Sequence, residues 1–193
     1  MGLINRIKFI RHATTDMVGT FCGHSDPPIN ATGRELIGDL TTRLADESFD
    51  AIYCSDLLRA VGTAQVLAQA FDAPVTTMHE LREIYFGEWD GLTWAEVETR
   101  DAIYARRWIE SYPDLPAPGG ETFADFESRV LAAVDDLLEI AQARQIAVVA
   151  HGGVLRVILR RLLGCSKEQA FDKTKSYCCS FDYGNDIAIR EVS

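Results

Sequence analysis

The chain has 193 residues, 47% of them hydrophobic and 25% charged, which is the balance of an ordinary globular protein. Acidic residues number 29 against 19 Lys and Arg, and the net charge of −10 disfavours nucleic acid and anionic membranes as partners. No stretch approaches the roughly 20 apolar residues that span a bilayer, and residues 1–8 lack the apolar segment of a signal peptide. Five cysteines without a C-x-x-C spacing indicate reduced thiols in a cytoplasmic protein.

The first part of the chain alternates predicted strands with predicted helices. Short apolar runs predict strands at residues 7–10, 51–54 and 74–78. Between the first two strands, Asn30 or Thr32 is expected to cap an amphipathic helix, and Thr32 with Glu35 has the capping-box spacing. Ser55 or Asp56 is expected to cap the next helix.

The second part begins less regularly and then resumes the alternation. The pattern predicts a loop over 80–94, helices over 94–112 and 123–140, a strand over 146–150, a helix over 154–163, a short helix capped at Ser166, and a hairpin of residues 178–183 and 187–191. The uninterrupted apolar run at 146–150 is typical of a strand buried on both faces.

This alternation predicts the fold class. Strands that alternate with helices form a mostly parallel central sheet with helices on both sides, so we expect a three-layer α/β/α architecture. The whole chain, residues 1–193, is predicted to be a single domain. The segment at about 84–122 is predicted to be an excursion over one edge of the sheet, where it would roof the active site.

Charged and imidazole side chains follow several of the predicted strands. Arg11 and His12 follow the first strand, Arg59 opens the helix after the second, and His151 and Gly152 follow the buried run. Ligands bind at the carboxyl ends of parallel strands. Arginine is costly to bury without an anion and its fork of donors matches phosphate oxygens. The sequence therefore predicts an anion site at this edge.

The same residues also have purely structural roles as alternatives to an anion site. An arginine–histidine pair after a strand also occurs as a surface ion pair, and Arg59 has Asp56 and Asp90 as other candidate partners. We expect His24 and His79 to be surface or packing residues. Neither H-x-x-x-H nor H-x-H occurs, so no metal site is predicted.

Six segments, taken in order, resemble the histidine phosphatase superfamily, also called the phosphoglycerate mutase-like superfamily. They are residues 9–15 (FIRHATT), 23–28, 55–64, 81–91, 118–122 (PGGET) and 148–153 (VVAHGG). The match covers nearly the whole chain. Two departures are notable, because Ala13 stands where the family usually has Gly and Asp90 where it usually has Glu. A positive φ at Ala13 would strain the backbone.

The resemblance implies a phosphoglycerate mutase-like fold and a covalent phosphohistidine mechanism without metal or cofactor. His12 would be the nucleophile, and its other ring nitrogen would donate to a backbone carbonyl. Arg11, Arg59 and His151 would hold the phosphate oxygens, and Glu83 would protonate the leaving oxygen and then activate water. Further substrate contacts are expected from Thr15, Gly23, Thr122 and Gly152.

The implied activity is phosphomonoester hydrolysis of a small phosphorylated metabolite. Residues 19–28 and 108–130 resemble the α-ribazole phosphatases of cobalamin biosynthesis, which points to α-ribazole 5′-phosphate. Two alternatives remain open, a phosphoglycerate mutase that requires a bisphosphorylated primer and a non-catalytic phospholigand-binding module. The aromatic residues Tyr104, Trp108 and Tyr112 of the excursion either stack on a substrate ring or pack together. The oligomeric state is not predicted, and a homo-oligomer stays open.

Overall fold

A computed structural model describes residues 6–184, and its centre is a five-stranded sheet. The strands are β1 (Arg6–Arg11), β2 (Ala51–Ser55), β3 (Val75–Met78), β4 (Gln145–Ala150) and β5 (Ser180–Gly184). Their order across the sheet is β3-β2-β4-β1-β5. The pairs among the first four strands are parallel, and β5 is antiparallel to β1.

Seven α-helices lie within the described residues. They are α1 (Ala31–Arg43), α2 (Leu58–Phe71), α3 (Trp94–Arg100), α4 (Ala102–Glu110), α5 (Phe123–Ile140), α6 (Gly152–Leu162) and α7 (Lys167–Thr174). Two short 3₁₀ turns, His79–Leu81 and Gly87–Trp89, occupy the predicted loop. No helix among these residues is both long and apolar enough to cross a membrane.

The sheet is covered on both faces, as the alternation predicted. Side chains along β4 alternate between the two cores because successive strand residues point to opposite faces. Val148 packs into the core that α5 and α6 cover, and Val149 packs into the core that α1 and α2 cover. The three-layer α/β/α fold with a mostly parallel sheet is confirmed.

The helix starts agree only in part with the predicted caps. Asn30 caps α1 by accepting from the Gly33 amide, so the alternative cap at Thr32 is wrong. Ser166 caps α7 in the predicted capping box. The predicted caps Ser55 and Asp56 are wrong, because α2 starts after Leu57 without a cap from that residue's side chain. Asp26 instead reaches the amide of Leu58 from a distant loop, at 2.6 Å.

The middle of the chain differs from the single helix predicted over 94–112. Asp101 ends α3 and caps α4 by accepting from the Tyr104 amide, so two short helices replace one long helix. Their apolar sides meet Phe21, Phe86 and Trp89 in a third, smaller core. The first strand of the predicted terminal hairpin is present as β5, which pairs with β1 along one edge. Residues 187–191 lie outside the described residues.

Candidate active site

His12 lies immediately after β1, where its amide donates to Ala150 O at the end of β4. Its Nδ1 is 2.7 Å from Ala13 O, a distance that suits donation by Nδ1–H. In that tautomer, Nε2 carries the lone pair and is the atom available to a ligand. Ala13 is not among the residues with positive φ, so its methyl group introduces no backbone strain.

His151 lies beside His12 and caps the start of α6 without a side-chain hydrogen bond to that helix. The ring centroids of the two histidines are 4.9 Å apart. Burial, reinforced by Arg59 and Arg11, lowers the pKa of His12 to about 3. Burial and neighbouring cations also hold the pKa of His151 well below its ordinary value. Both imidazoles are therefore neutral at physiological pH.

Arg11 is fixed at the last position of β1. Its Nη1 donates to the carbonyls of Thr174 and Lys175, at 2.8 and 2.7 Å. The ring of Tyr177 stacks on its guanidinium, with Cζ 4.0 Å from the ring centroid. The Nε atom is buried and has no hydrogen-bond partner within residues 6–184. One edge of this guanidinium is thus anchored while Nε is left for a ligand.

Arg59 is 1% exposed, and its charge is met by backbone carbonyls. Its terminal nitrogens donate to Ser25 O and Gly23 O, each at 2.7 Å, and more weakly to Cys22 O. Its Nε has no partner among the described residues. The guanidinium therefore orders the loop over 22–25 and keeps one buried donor free.

Glu83 reaches the N-terminus of α6 from the loop after β3. Its Oε2 accepts from the Gly153 amide at 2.9 Å, and Oε1 accepts from its own neighbour, Ile84, at 3.0 Å. A Cβ atom at position 153 would lie 2.1 Å from Oε1, so this approach requires glycine. The carboxylate lies at the N-terminus of α6, two residues beyond His151.

The remaining predicted ligand contacts are placed as follows. Gly23 offers its carbonyl to Arg59, and a side chain there would collide with Ile84 O. Thr15 is buried and its hydroxyl accepts from the Met17 amide. Gly152 opens α6 beside Arg11. Thr122 caps α5, with its hydroxyl engaged by Asp125.

Several residues that support the site were not predicted. Thr63 accepts from the Ala13 amide and donates to Arg59 O, which ties the loop that carries His12 to α2. Arg129 on α5 donates from Nη2 to the carbonyl of Glu83 and from Nη1 to those of Glu80 and Arg82. His24, expected at the surface or in packing, is partly buried with its Nε2 3.1 Å from Glu83 O.

A cavity of about 730 Å³ opens beside Glu83 and Gly153. Its walls are mainly apolar and include Phe21, Phe86, Trp108, Tyr112, Phe123 and Phe171. Trp108 and Tyr112 therefore line the cavity and also pack on each other, with centroids 5.4 Å apart. Tyr104 instead packs against Trp89 and donates its hydroxyl to Pro116 O.

Buried nitrogen atoms without a hydrogen-bond partner indicate the kind of ligand that this site can bind. Arg11 Nε, Arg59 Nε and both ring nitrogens of His151 are buried without partners among the described residues. Buried polar groups in native proteins are ordinarily satisfied, so unpartnered donors of this kind are suited to binding a ligand. Arginine donors and neutral imidazoles around one point suit a tetrahedral oxyanion. No group of three or more His, Cys, Asp or Glu in residues 6–184 is arranged to hold a metal ion.

The fold is α/β, and the unpartnered arginine and histidine nitrogens lie at the carboxyl ends of β1 and β4. This arrangement is typical of proteins that bind phosphate groups. The family model of the histidine phosphatase superfamily (branch 1) matches residues 7–183, and the chain belongs to that superfamily. The predicted family and enzyme class, a phosphatase, are confirmed.

The chain is similar to several named phosphatases. An adenosylcobalamin/alpha-ribazole phosphatase from Escherichia coli (strain K12) is 33% identical over 165 residues, which cover 84% of this chain and 81% of that protein. A metal-independent phosphoserine phosphatase from Arabidopsis thaliana is 30% identical over 84% of this chain and 71% of its own length. The crystal structure of an alpha-ribazole phosphatase from Shigella flexneri superposes with a TM-score of 0.83 at 31% identity, covering 92% of this chain and 89% of that one.

Proposed function

We propose that this protein hydrolyses a small phosphate monoester, α-ribazole 5′-phosphate foremost, through a phosphohistidine on His12 and without a metal ion. The observation that carries the proposal is the set of orphaned buried donors on Arg11, Arg59 and His151 around the neutral ring of His12. Similarity to alpha-ribazole phosphatases supports the choice of substrate.

The first chemical step follows from the tautomer of His12. Nε2 attacks phosphorus as the bond to the leaving oxygen breaks, and the Nδ1–H bond to Ala13 O stabilises the developing positive charge on the ring. Arg11, Arg59 and His151 bind the non-bridging oxygens, so charge is neutralised by fixed donors. Glu83 gives its proton to the leaving oxygen, which departs as the alcohol.

The second step reverses the role of Glu83. Its carboxylate removes a proton from a water molecule, whose oxygen attacks phosphorus and breaks the bond to Nε2. Inorganic phosphate leaves and His12 returns to its neutral form. The amides of Gly153 and Ile84 hold the carboxylate in place through both steps.

The cavity supports an apolar leaving group rather than a second anion. Besides its aromatic wall, the cavity is lined by four acidic residues and three cationic residues, so it carries no net positive charge. A benzimidazole ring of α-ribazole suits such walls, where aromatic rings stack or meet edge to face. The four acidic residues of the lining disfavour the carboxylate of a phosphoglycerate there. The five cysteines are unpaired, which suits a reducing compartment such as the cytoplasm.

Phosphate release from a panel of esters tests this function. We expect α-ribazole 5′-phosphate to show a higher kcat/KM than phosphoserine or 3-phosphoglycerate, with no loss of rate in a chelator. His12→Ala is expected to lose at least about a thousandfold in kcat while it unfolds at a similar temperature. Transfer to a second phosphoglycerate without release of phosphate, or binding without turnover, would contradict the proposal.

A further inference from the structure

The wall between the phosphate site and the cavity carries a further arginine, Arg156 on α6. Its guanidinium lines the cavity together with Glu83 and Gly153. An ideal Cβ atom at Gly152 would lie 3.5 Å from Arg156 Nη2 and 3.6 Å from Arg11 Cζ. The two guanidinium groups therefore flank the same glycine, one toward the phosphate site and one toward the cavity.

The direct contacts of Arg156 are with a hydroxyl group and an aromatic ring. Its Nε donates to Thr174 Oγ1 at 3.0 Å, and its Cζ lies 4.7 Å from the centre of the Phe171 ring. Neither partner is an anion. A guanidinium has five N–H donors, and the contact through Nε leaves those of both terminal nitrogens for other partners. Arg156 is thus an oriented, partly buried cation with spare donors on a cavity wall.

We propose that Arg156 is a substrate-binding residue that donates hydrogen bonds to oxygen atoms of the leaving group, such as sugar hydroxyls next to the phosphoester. The inference rests on the proposed function and adds a residue that discriminates between esters. Arg11 and Arg59 surround the phosphate, whereas Arg156 shares its side of the site with Glu83, the group assigned to the leaving oxygen. An apolar cavity needs a few placed polar groups of this kind to orient a ligand.

Binding of intact esters tests the proposal, and the His12→Ala background prevents their turnover. The probes are α-ribazole 5′-phosphate, 4-nitrophenyl phosphate, which has no hydroxyl group, and inorganic phosphate, each titrated calorimetrically. We expect Arg156→Met to weaken binding of α-ribazole 5′-phosphate by at least about tenfold, because charged hydrogen bonds are lost. The Kd values of the other two probes should change by no more than about twofold. The affinity of Arg156→Lys for α-ribazole 5′-phosphate should lie between those of the parent and Arg156→Met. Lysine keeps the positive charge but lacks the planar set of donors of a guanidinium.

Arg161→Met is the matched control, because it removes a charge from an exposed position on the same helix, where Arg161 pairs with Glu127. It should leave all three affinities unchanged. Equal weakening of all three probes by Arg156→Met would place this residue in the phosphate clamp and overturn the proposal. Unchanged binding, or no preference of the parent for α-ribazole 5′-phosphate over 4-nitrophenyl phosphate, would overturn it as well. Failure of the unaltered protein to release phosphate would refute the proposed function alone, since this test measures binding.

Discussion

At the scale of single residues, the site is prepared for an anion before one binds. Burial and the neighbouring guanidinium groups keep His12 and His151 uncharged, so Nε2 of His12 retains its lone pair. The bond from Nδ1 to Ala13 O selects the tautomer. A phosphate group would bring the negative charge that these donors lack, which explains why arginines with orphaned Nε atoms are tolerated here.

The buried imidazole of His12 makes stability depend on pH. Its pKa of about 3 lies below the ordinary value of 6.5, so the unfolded chain binds the proton more readily between those values. Stability must therefore fall as the pH drops through 6.5 toward 3. Near pH 5 this one group accounts for a loss of about 2 kcal/mol relative to pH 8.

His12→Asn is expected to remove that loss. Urea unfolding in phosphate-free buffer should show a difference in free energy between pH 8 and pH 5 that is smaller by about 2 kcal/mol than in the unaltered protein. The same pH dependence in both proteins would mean that His12 ionises normally in the fold.

At the scale of elements, the loop that carries Glu83 is held mainly by α5. Arg129 binds three carbonyls of residues 80–83 and forms a bidentate pair with Glu121. Asp90 secures the facing loop by accepting from the amides of His24 and Ser25. The position of the proposed acid is therefore set by a helix distant in sequence.

Arg129→Met is expected to release this loop. Loss of the partly buried pair and of the carbonyl partners should lower the free energy of unfolding by about 2–3 kcal/mol, and kcat should fall about tenfold as Glu83 loses its position. Urea titration and steady-state rates measure both effects. Arg161→Met, which breaks an exposed pair, should cost less than about 1 kcal/mol and leave kcat unchanged. An Arg129→Met protein with an unaltered kcat would show that the loop positions Glu83 without this clamp.

The sequence predicted elements well where the signal was local. The apolar run at 146–150 and the capping box at Ser166 depend on neighbouring residues alone, and the structure has both. The cap of α2 comes from Asp26, 32 residues before Leu58, so no local pattern could predict it. The break at Asp101 was hidden because residues 94–112 contain neither Gly nor Pro to mark it.

At the scale of the whole molecule, charges at the opposite end of the sheet join the last strand to the first. Lys8 on β1 is 1% exposed, and its Nζ lies 2.8 Å from Asp182 on β5. Arg6 contacts the same carboxylate, and Glu47 contacts both cations. This network lies at the end of β1 away from His12, so its role is to hold β5 on the sheet.

Asp182→Asn is expected to lower stability without altering catalysis. Removing this partner leaves the buried ammonium group of Lys8 short of an anion, which costs about 3 kcal/mol. The midpoint of urea unfolding should fall accordingly, while kcat and KM of the folded protein stay at their unaltered values. A change in kcat would indicate that β5 transmits its position to the site.

The sequence predicted those site residues that have a local signal and missed those that depend on contacts between distant segments. Arg11, His12 and His151 follow strand ends, so the parallel topology alone brings them together. Thr63, Arg129 and Arg156 are single polar residues on helices, and their roles depend on which face each helix turns toward the loops. That information comes from packing between distant segments and has no short-range signature.

The central claim is that His12 carries the phosphoryl group, and a trapping experiment on Glu83→Gln tests it most directly. With 4-nitrophenyl phosphate the leaving group needs no acid, whereas water attack still needs the missing base. We therefore expect a burst of one 4-nitrophenolate per protein molecule and an acid-labile, base-stable phosphoryl group on the His12 peptide in mass spectrometry. A burst without a label on His12, or a label on His151, would contradict the account.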